Sequence, residues 1–141
     1  MAPGAHPWHD SVVDAHDLEK VPLFADLRHK DRERIARWAD AVDLPAGYSL
    51  LQEGRFPHEF FIVLEGEVEV TKDGEPLATL GPGDFFGEIA LLEDERRTAT
   101  VVASTPVRVA VMGAREFDSI VEQMPTVAAR LDAVMRERRS R

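Results

Sequence analysis

The sequence predicts a mainly β domain flanked by helices, a sandwich or roll rather than an α/β or all-helical fold. Two observations carry this. Between Leu44 and Met112 apolar residues recur in short alternating runs punctuated by glycine, with turn signals about every ten residues, as in antiparallel β structure. On either side of that region the apolar spacing lengthens to the helical period. With 141 residues, the chain has the length of one compact domain, residues 1–141, and is too short for a sensor joined to a full output domain.

The first part, residues 1–42, reads as helical. Ile35, Trp38, Ala39 and Val42 fall at i, i+3, i+4 and i+7, one apolar stripe on a helix whose other faces carry Arg32, Arg34, Arg37 and Asp40. Leu23, Phe24 and Leu27, after Pro22, form a short irregular stretch that packs this helix onto the body. In the β region, residues 43–112, strands are expected at Ser49–Gln52, Glu59–Glu65, Glu67–Thr71, Pro76–Leu80, Thr98–Ala103 and Val107–Met112. Asp73-Gly74 is a two-residue hairpin signal, because a type I′ turn needs positive φ at both positions and glycine accepts it without strain. The last part, residues 114–139, is helical again. Phe117, Ile120, Val121 and Met124 make one stripe, and Val127, Leu131, Val134 and Met135 a second. Pro125 suits the first turn of a new helix and no interior position, so a hinge is expected there.

Composition removes several classes of function. The chain has no cysteine, which excludes disulfides, thiolate metal sites and thiol nucleophiles. A formal charge of −9 argues against broad affinity for nucleic acid or anionic membrane. The longest apolar run, Phe60-Phe61-Ile62-Val63-Leu64, has the length of a strand and not of a membrane span. The opening MAPGAHPWHD has neither a basic nor an apolar leader segment, so a cytoplasmic protein is expected. Arg136, Arg138, Arg139 and Arg141 cluster at the C-terminus, where cations favour the last turn of a helix.

One stretch breaks the alternating pattern: Phe85-Phe86-Gly87-Glu88-Ile89-Ala90-Leu91-Leu92-Glu93-Asp94-Glu95-Arg96-Arg97-Thr98-Ala99-Thr100-Val101. Gly87–Leu92 reads as a short helical turn between strands, preceded by glycines that let backbone approach a ligand closely. Such a turn leaves its first N–H groups unpaired, which suits an anion. Nine residues after Glu88, Arg97 offers a planar fork of donors matched to a phosphate. Glu88 does not belong beside a phosphate unless it meets something else, and a sugar hydroxyl is the natural partner. A ribose whose phosphate is closed onto its 3′ and 5′ positions leaves only the 2′-hydroxyl free for it.

This stretch resembles the phosphate-binding cassette of the cyclic nucleotide-binding domain family, which includes catabolite activators, protein kinase A regulatory subunits and cyclic nucleotide-gated channel sensors. The likeness extends over nearly the whole chain: Val42–Gly47 and Phe60–Val70 look like the family's early strands, Gly81–Glu88 like the approach to the cassette, and the helices meeting at Pro125 like its hinge and lid. The resemblance implies a double-stranded, jelly-roll-like β-roll with a cassette at 86–101, in a stand-alone bacterial-type member. It further implies that Glu88 accepts from the ribose hydroxyl, that Arg97 pairs with the cyclic phosphate, and that amides around Gly87, Ile89 and Ala90 complete the anion site. Thr98 faces the purine or phosphate, Val70 is a wall near the ligand beside Phe86, and Arg138 matches a place from which some relatives cap the base. For Arg138 a solvated surface position is the plainer reading. Two features depart from the family pattern. Arg96 stands where proline is common, leaving open which of Arg96 and Arg97 makes the main phosphate contact. Arg55-Phe56-Pro57-His58 replaces the usual glycine and acidic loop, a surface change of little consequence.

The ligand implied is cyclic AMP or cyclic GMP, with no metal, no other cofactor and no catalysis. Metalloenzymes of the cupin type share a β-roll but need a cluster of His and Glu ligands; only His58 falls among the strands, while His6, His9, His16 and His29 precede them. No Ser-His-Asp or Lys-centred set offers a nucleophile. The mundane alternative for Arg97 is an ion pair with Glu93, Asp94 or Glu95, and for Thr98 a β-branched strand residue. Because only Ser140 and Arg141 follow Arg139, the effector is expected to be another chain or a second copy of this one. Two other functions remain: a scaffold that pairs through its C-terminal helix without nucleotide, and the sensor of a Crp-like transcription regulator, which requires a helix-turn-helix after the lid.

Overall fold

The computed structural model describes residues 12–55, 58–93 and 96–139. The N-terminal leader, His6, His9, Phe56, Pro57, Asp94, Glu95, Ser140 and Arg141, for which the sequence raised expectations, lie outside the described residues. Helix α1 (Ala15–Glu19) opens on a capping box between Asp14 and Asp17. A 3₁₀ turn (Pro22–Phe24) and helix α2 (His29–Trp38) follow. Then come β1 (Asp40–Leu44), β2 (Ser49–Leu51), β3 (Glu59–Glu65), β4 (Val68–Lys72), β5 (Glu75–Leu80) and β6 (Phe85–Phe86). The short helix α3 (Glu88–Glu93) precedes β7 (Thr100–Ala103) and β8 (Val107–Gly113), and the chain closes with α4 (Ala114–Gln123) and α5 (Pro125–Arg139).

Two four-stranded antiparallel sheets face each other as a β-roll, in the orders β1-β8-β3-β6 and β2-β7-β4-β5. Strand β3 shows why its sequence is apolar without alternation. Phe61 and Val63 enter the space between the sheets, while Phe60 and Ile62 face a second core made with α1, α2, α4 and α5, so both faces are buried. Strand β6 repeats the pattern in two residues: Phe85 packs on Phe60 in the helical core, and Phe86 stacks on Phe61 inside the roll, ring centres 4.9 Å apart. The Asp73-Gly74 turn has φ of 53° and 81°, which closes Lys72 against Glu75 as a type I′ hairpin requires.

The N-terminal boundary differs from the helical reading through Val42. Helix α2 stops at Trp38, Ala39 is extended, and Asp40–Leu44 forms five successive pairs with β8. Ala39 and Val42 fit the helical stripe by spacing alone; a strand ladder plus burial of Ala41 outweighs local helix preference there. Strand β7 also begins at Thr100 rather than Thr98. The break between α4 and α5 falls where the proline puts it, with Met124 leaving helical geometry at φ −127° and ψ 81° and Pro125 opening α5. Both C-terminal helices are tied to the N-terminal ones: Arg34 donates to Gln123, and Arg130 to Asp26 and the Pro22 carbonyl.

Candidate functional site

An open cleft, about 860 Å³ when the solvent in its mouth is counted, lies between β4, β5, α3 and the end of α5. Gly87 builds its floor. Its φ of 94° turns the chain sharply out of β6 into α3, and a Cβ there would stand 3.1 Å from both Arg97 Nη1 and the Glu59 carbonyl oxygen. Only glycine meets both demands. Glu88 follows as the first residue of α3, so the amides of that first turn have no carbonyl a turn earlier to pair with.

Arg97 is 6% exposed. Its Nη1 donates to the Gly87 carbonyl at 2.9 Å and its Nη2 to the Glu59 carbonyl at 2.6 Å, which uses two of a guanidinium's five N–H donors. The backbone is pinned as well, by Arg97 N to the Arg55 carbonyl and Gly54 N to the Arg97 carbonyl. Burial pushes the Arg97 pKa below its ordinary value, and the carboxylates of Glu59 and Glu88 pull it partly back. A desolvated cation with spare donors on a cleft wall is suited to an incoming anion. Its partners are backbone carbonyls, so the ion pair with Glu93 is not how Arg97 is held; Glu93 pairs with Arg139 at 3.6 Å. Arg96, by contrast, is exposed, donates to the Gly54 carbonyl at 2.9 Å, and is not part of the cleft lining.

Glu88 is 1% exposed, and both its oxygens accept from Arg138 Nη1, at 2.8 and 2.9 Å. Arg138 Nη2 donates to the Phe85 carbonyl at 2.8 Å, and the guanidinium sits 4.9 Å from the Phe85 ring centre. The solvated reading of Arg138 is therefore corrected: α5 drapes over α3 and turns this residue inward, its side chain 18% exposed. Arg136, two residues earlier, makes a solvent-facing pair with Asp132.

Every expected ligand neighbour except Arg96 lines this one cleft: Phe86, Gly87, Glu88, Ile89, Ala90, Arg97, Thr98, Val70 and Arg138. Sequence reasoning missed the rest of the wall, chiefly Lys72, Leu77, Ala78 and Leu80. Lys72 was legible in principle, since it follows Val70 by two along β4 and therefore shares its face. The clamp from Gly54 and Arg55 was not, because it uses backbone atoms alone. Through it the loop beginning at Arg55, read as inconsequential, holds Arg97 in place. Among the described residues no three His, Asp or Glu side chains are grouped so as to hold a metal ion, and no helix is long and apolar enough to cross a membrane.

A β-roll with a buried guanidinium and a buried carboxylate lining one cleft beside a short helix has the form of a small-molecule-binding domain. Residues 41–124 match the cyclic nucleotide-binding domain family, and the chain belongs to it. It is 39% identical over 117 residues to a cAMP-dependent protein kinase regulatory subunit of Aspergillus fumigatus, covering 82% of this chain and 28% of that protein. It is 40% identical over 106 residues to its counterpart in Yarrowia lipolytica, covering 74% of this chain and again 28% of the relative. The chain thus spans under a third of the length of these curated relatives. Among solved structures, the Thermus thermophilus catabolite activator protein superposes with a TM-score of 0.74 at 27% identity, over 83% of this chain and 57% of that one. The regulatory domain of Toxoplasma gondii PKA, solved with cAMP, superposes at 0.78 with 23% identity, over 90% and 49%, a likeness of fold.

Proposed function

We propose that this chain is a regulatory sensor that binds a purine 3′,5′-cyclic nucleotide in the cleft beside α3. The observation that carries the reading is the convergence on one cleft of Arg97, desolvated and with donors to spare, and Glu88, a buried carboxylate at the start of α3. The cyclic phosphate takes the spare Arg97 donors and the first amides of α3. The ribose 2′-hydroxyl donates to Glu88: a carboxylate offers about four acceptor positions, and Arg138 occupies two of them. The base lies along the apolar wall of Val70, Ala78 and Leu80, with Thr98 beside it. The relatives named for cAMP dependence and the cAMP-bound neighbour favour this ligand class.

Because Glu88 is covered by Arg138, a ligand reaching it must loosen or share that grip, and α5 moves with it about the Pro125 hinge. The end of α5 is thus the output surface, read by a partner chain, either a kinase catalytic subunit as the regulatory-subunit relatives suggest or a second copy. The site residues act in binding and not in catalysis: the polar side chains of the lining are Lys72, Glu88, Arg97, Thr98, Arg138 and Arg139, with no nucleophile and base paired among them. A cytoplasmic setting and a single domain over residues 1–141 fit this role. Titration calorimetry with cyclic AMP and cyclic GMP tests it: saturable binding well below millimolar ligand is expected, and no heat of binding from either at millimolar concentration defeats the proposal.

A further inference from the structure

We infer that Glu53 is a positioning residue for Arg97: it lies outside the cleft lining, yet its carboxylate fixes the loop that holds Arg97 in place. The effect on ligand affinity rests on the cyclic nucleotide reading above, whereas the effect on Arg97 itself does not.

Arg97 stands between α3 and β7, so no strand ladder sets its position. Its backbone is fixed from the loop after β2 instead, by Arg97 N donating to the Arg55 carbonyl at 2.7 Å and Gly54 N to the Arg97 carbonyl at 2.9 Å. A guanidinium aimed by its own short bonds to Gly87 and Glu59 keeps that aim only while its Cα stays put, so the loop must not move. Packing does little to hold it. Gln52, Gly54 and Arg55 are exposed, and a Cβ on Gly54 would meet nothing within 4 Å.

Hydrogen bonds do the holding. Arg55 N donates to the Gln52 carbonyl at 3.2 Å and closes the turn, while Arg96 reaches the Gly54 carbonyl from an exposed side chain. Glu53 fastens the loop to two other strands. Its N–H donates to Thr100 Oγ1 on β7 at 3.1 Å, and its Oε1 accepts from Asp73 N, at the tip of the β4–β5 hairpin, at 2.9 Å. A two-residue turn leaves the N–H of its first central residue outside the ladder, and a carboxylate is a strong acceptor for it. The tip is a firm anchor, since Lys72 and Glu75 pair beneath it. Glu53 is half-buried, and through it the hairpin tip, the loop and the backbone of Arg97 form one connected frame.

The test reads Arg97 in the full chain, first without ligand. Amide hydrogen exchange followed by NMR is expected to show Arg97 N–H losing about 3- to 10-fold of its protection in Glu53→Ala, the range for one hydrogen bond, with the amides of β3 and β8 unchanged. Glu53→Gln keeps an acceptor oxygen and should keep the protection. Both variants retain the backbone bond to Thr100. Calorimetry with cyclic AMP and cyclic GMP should then show binding about 3- to 10-fold weaker in Glu53→Ala and within about twofold of wild type in Glu53→Gln. Loss of a negative charge acts the other way, since by Coulomb attraction alone it favours an anion. Wild-type protection of Arg97, or wild-type affinity, in Glu53→Ala overturns the inference. So does equal weakening in Glu53→Gln, which separates the effect from the acceptor, or loss of protection throughout the roll, which makes Glu53 a general stabiliser. In each of those cases cyclic nucleotides still bind wild type and the reading of the site stands. If neither binds wild type at millimolar concentration, that reading fails and takes the role in binding with it; the exchange rates then decide the hold on Arg97 alone.

Discussion

Removing Arg138 tests the link between the binding site and α5 most directly. The side chain gives two bonds of 2.8 and 2.9 Å to Glu88, one of 2.8 Å to the Phe85 carbonyl, and a guanidinium face over the Phe85 ring. Truncation to alanine strands a carboxylate that is 1% exposed. Breaking a fully buried pair from one side costs about 3–5 kcal/mol. Arg138 itself keeps 18% exposure, so water can partly replace it, and about 2–4 kcal/mol is the expected loss. For a chain of this size that lowers Tm by roughly 10 °C, a few degrees per kcal/mol. Urea and thermal unfolding of wild type, Arg138→Ala, Glu88→Gln and the double variant measure it. The double variant should cost about 1–3 kcal/mol less than the sum of the singles, because each single leaves the other partner unmatched. Arg136→Ala, which removes only a solvent-facing pair with Asp132, should change stability by no more than about 0.5 kcal/mol. A loss below about 1 kcal/mol for Arg138→Ala, or strict additivity in the cycle, would refute the claim that this contact fastens α5 to α3.

Two further outcomes follow from the geometry. Arg97→Ala should weaken cyclic nucleotide binding by about 30- to 1000-fold, corresponding to ~2–4 kcal/mol for an anion losing its main charged partner, while Arg96→Ala should stay within about threefold; equal losses in calorimetry would mean that the two arginines share the phosphate. Gly87→Ala should destabilise by about 2–3 kcal/mol and impair binding, since it adds a tight approach to Arg97 and Glu59 to a φ of 94°. Gly74→Ala, with φ of 81° and open space around it, should cost only about 1 kcal/mol and leave binding intact, as denaturation curves and titrations of both variants will show.

Much of the site was legible because its chemistry is local in sequence. Gly87, Glu88 and the short helix after them form one continuous segment, and Arg97 follows within the same loop. What escaped were contacts made across the fold. The backbone clamp of Gly54 and Arg55 on Arg97 involves no side chain, so no residue type announces it. Arg138 lies 50 positions beyond Glu88, and nothing in its neighbourhood separates it from Arg136 or Arg139, since which of them turns inward depends on how α5 rotates over α3.

From the sequence alone came the alternation that makes strands, the Asp73-Gly74 turn and the helix break at Pro125, all of which rest on preferences acting over a few neighbouring residues; the segment with Glu88 and Arg97 was legible through its resemblance to a known family. Only the assembled tertiary structure decided that α2 stops at Trp38, because the ladder between β1 and β8 rewards Asp40–Leu44 for being extended. It likewise decided the cleft's far wall and the engagement of Glu88 by Arg138, since burial and charge pairing between distant segments are set by packing.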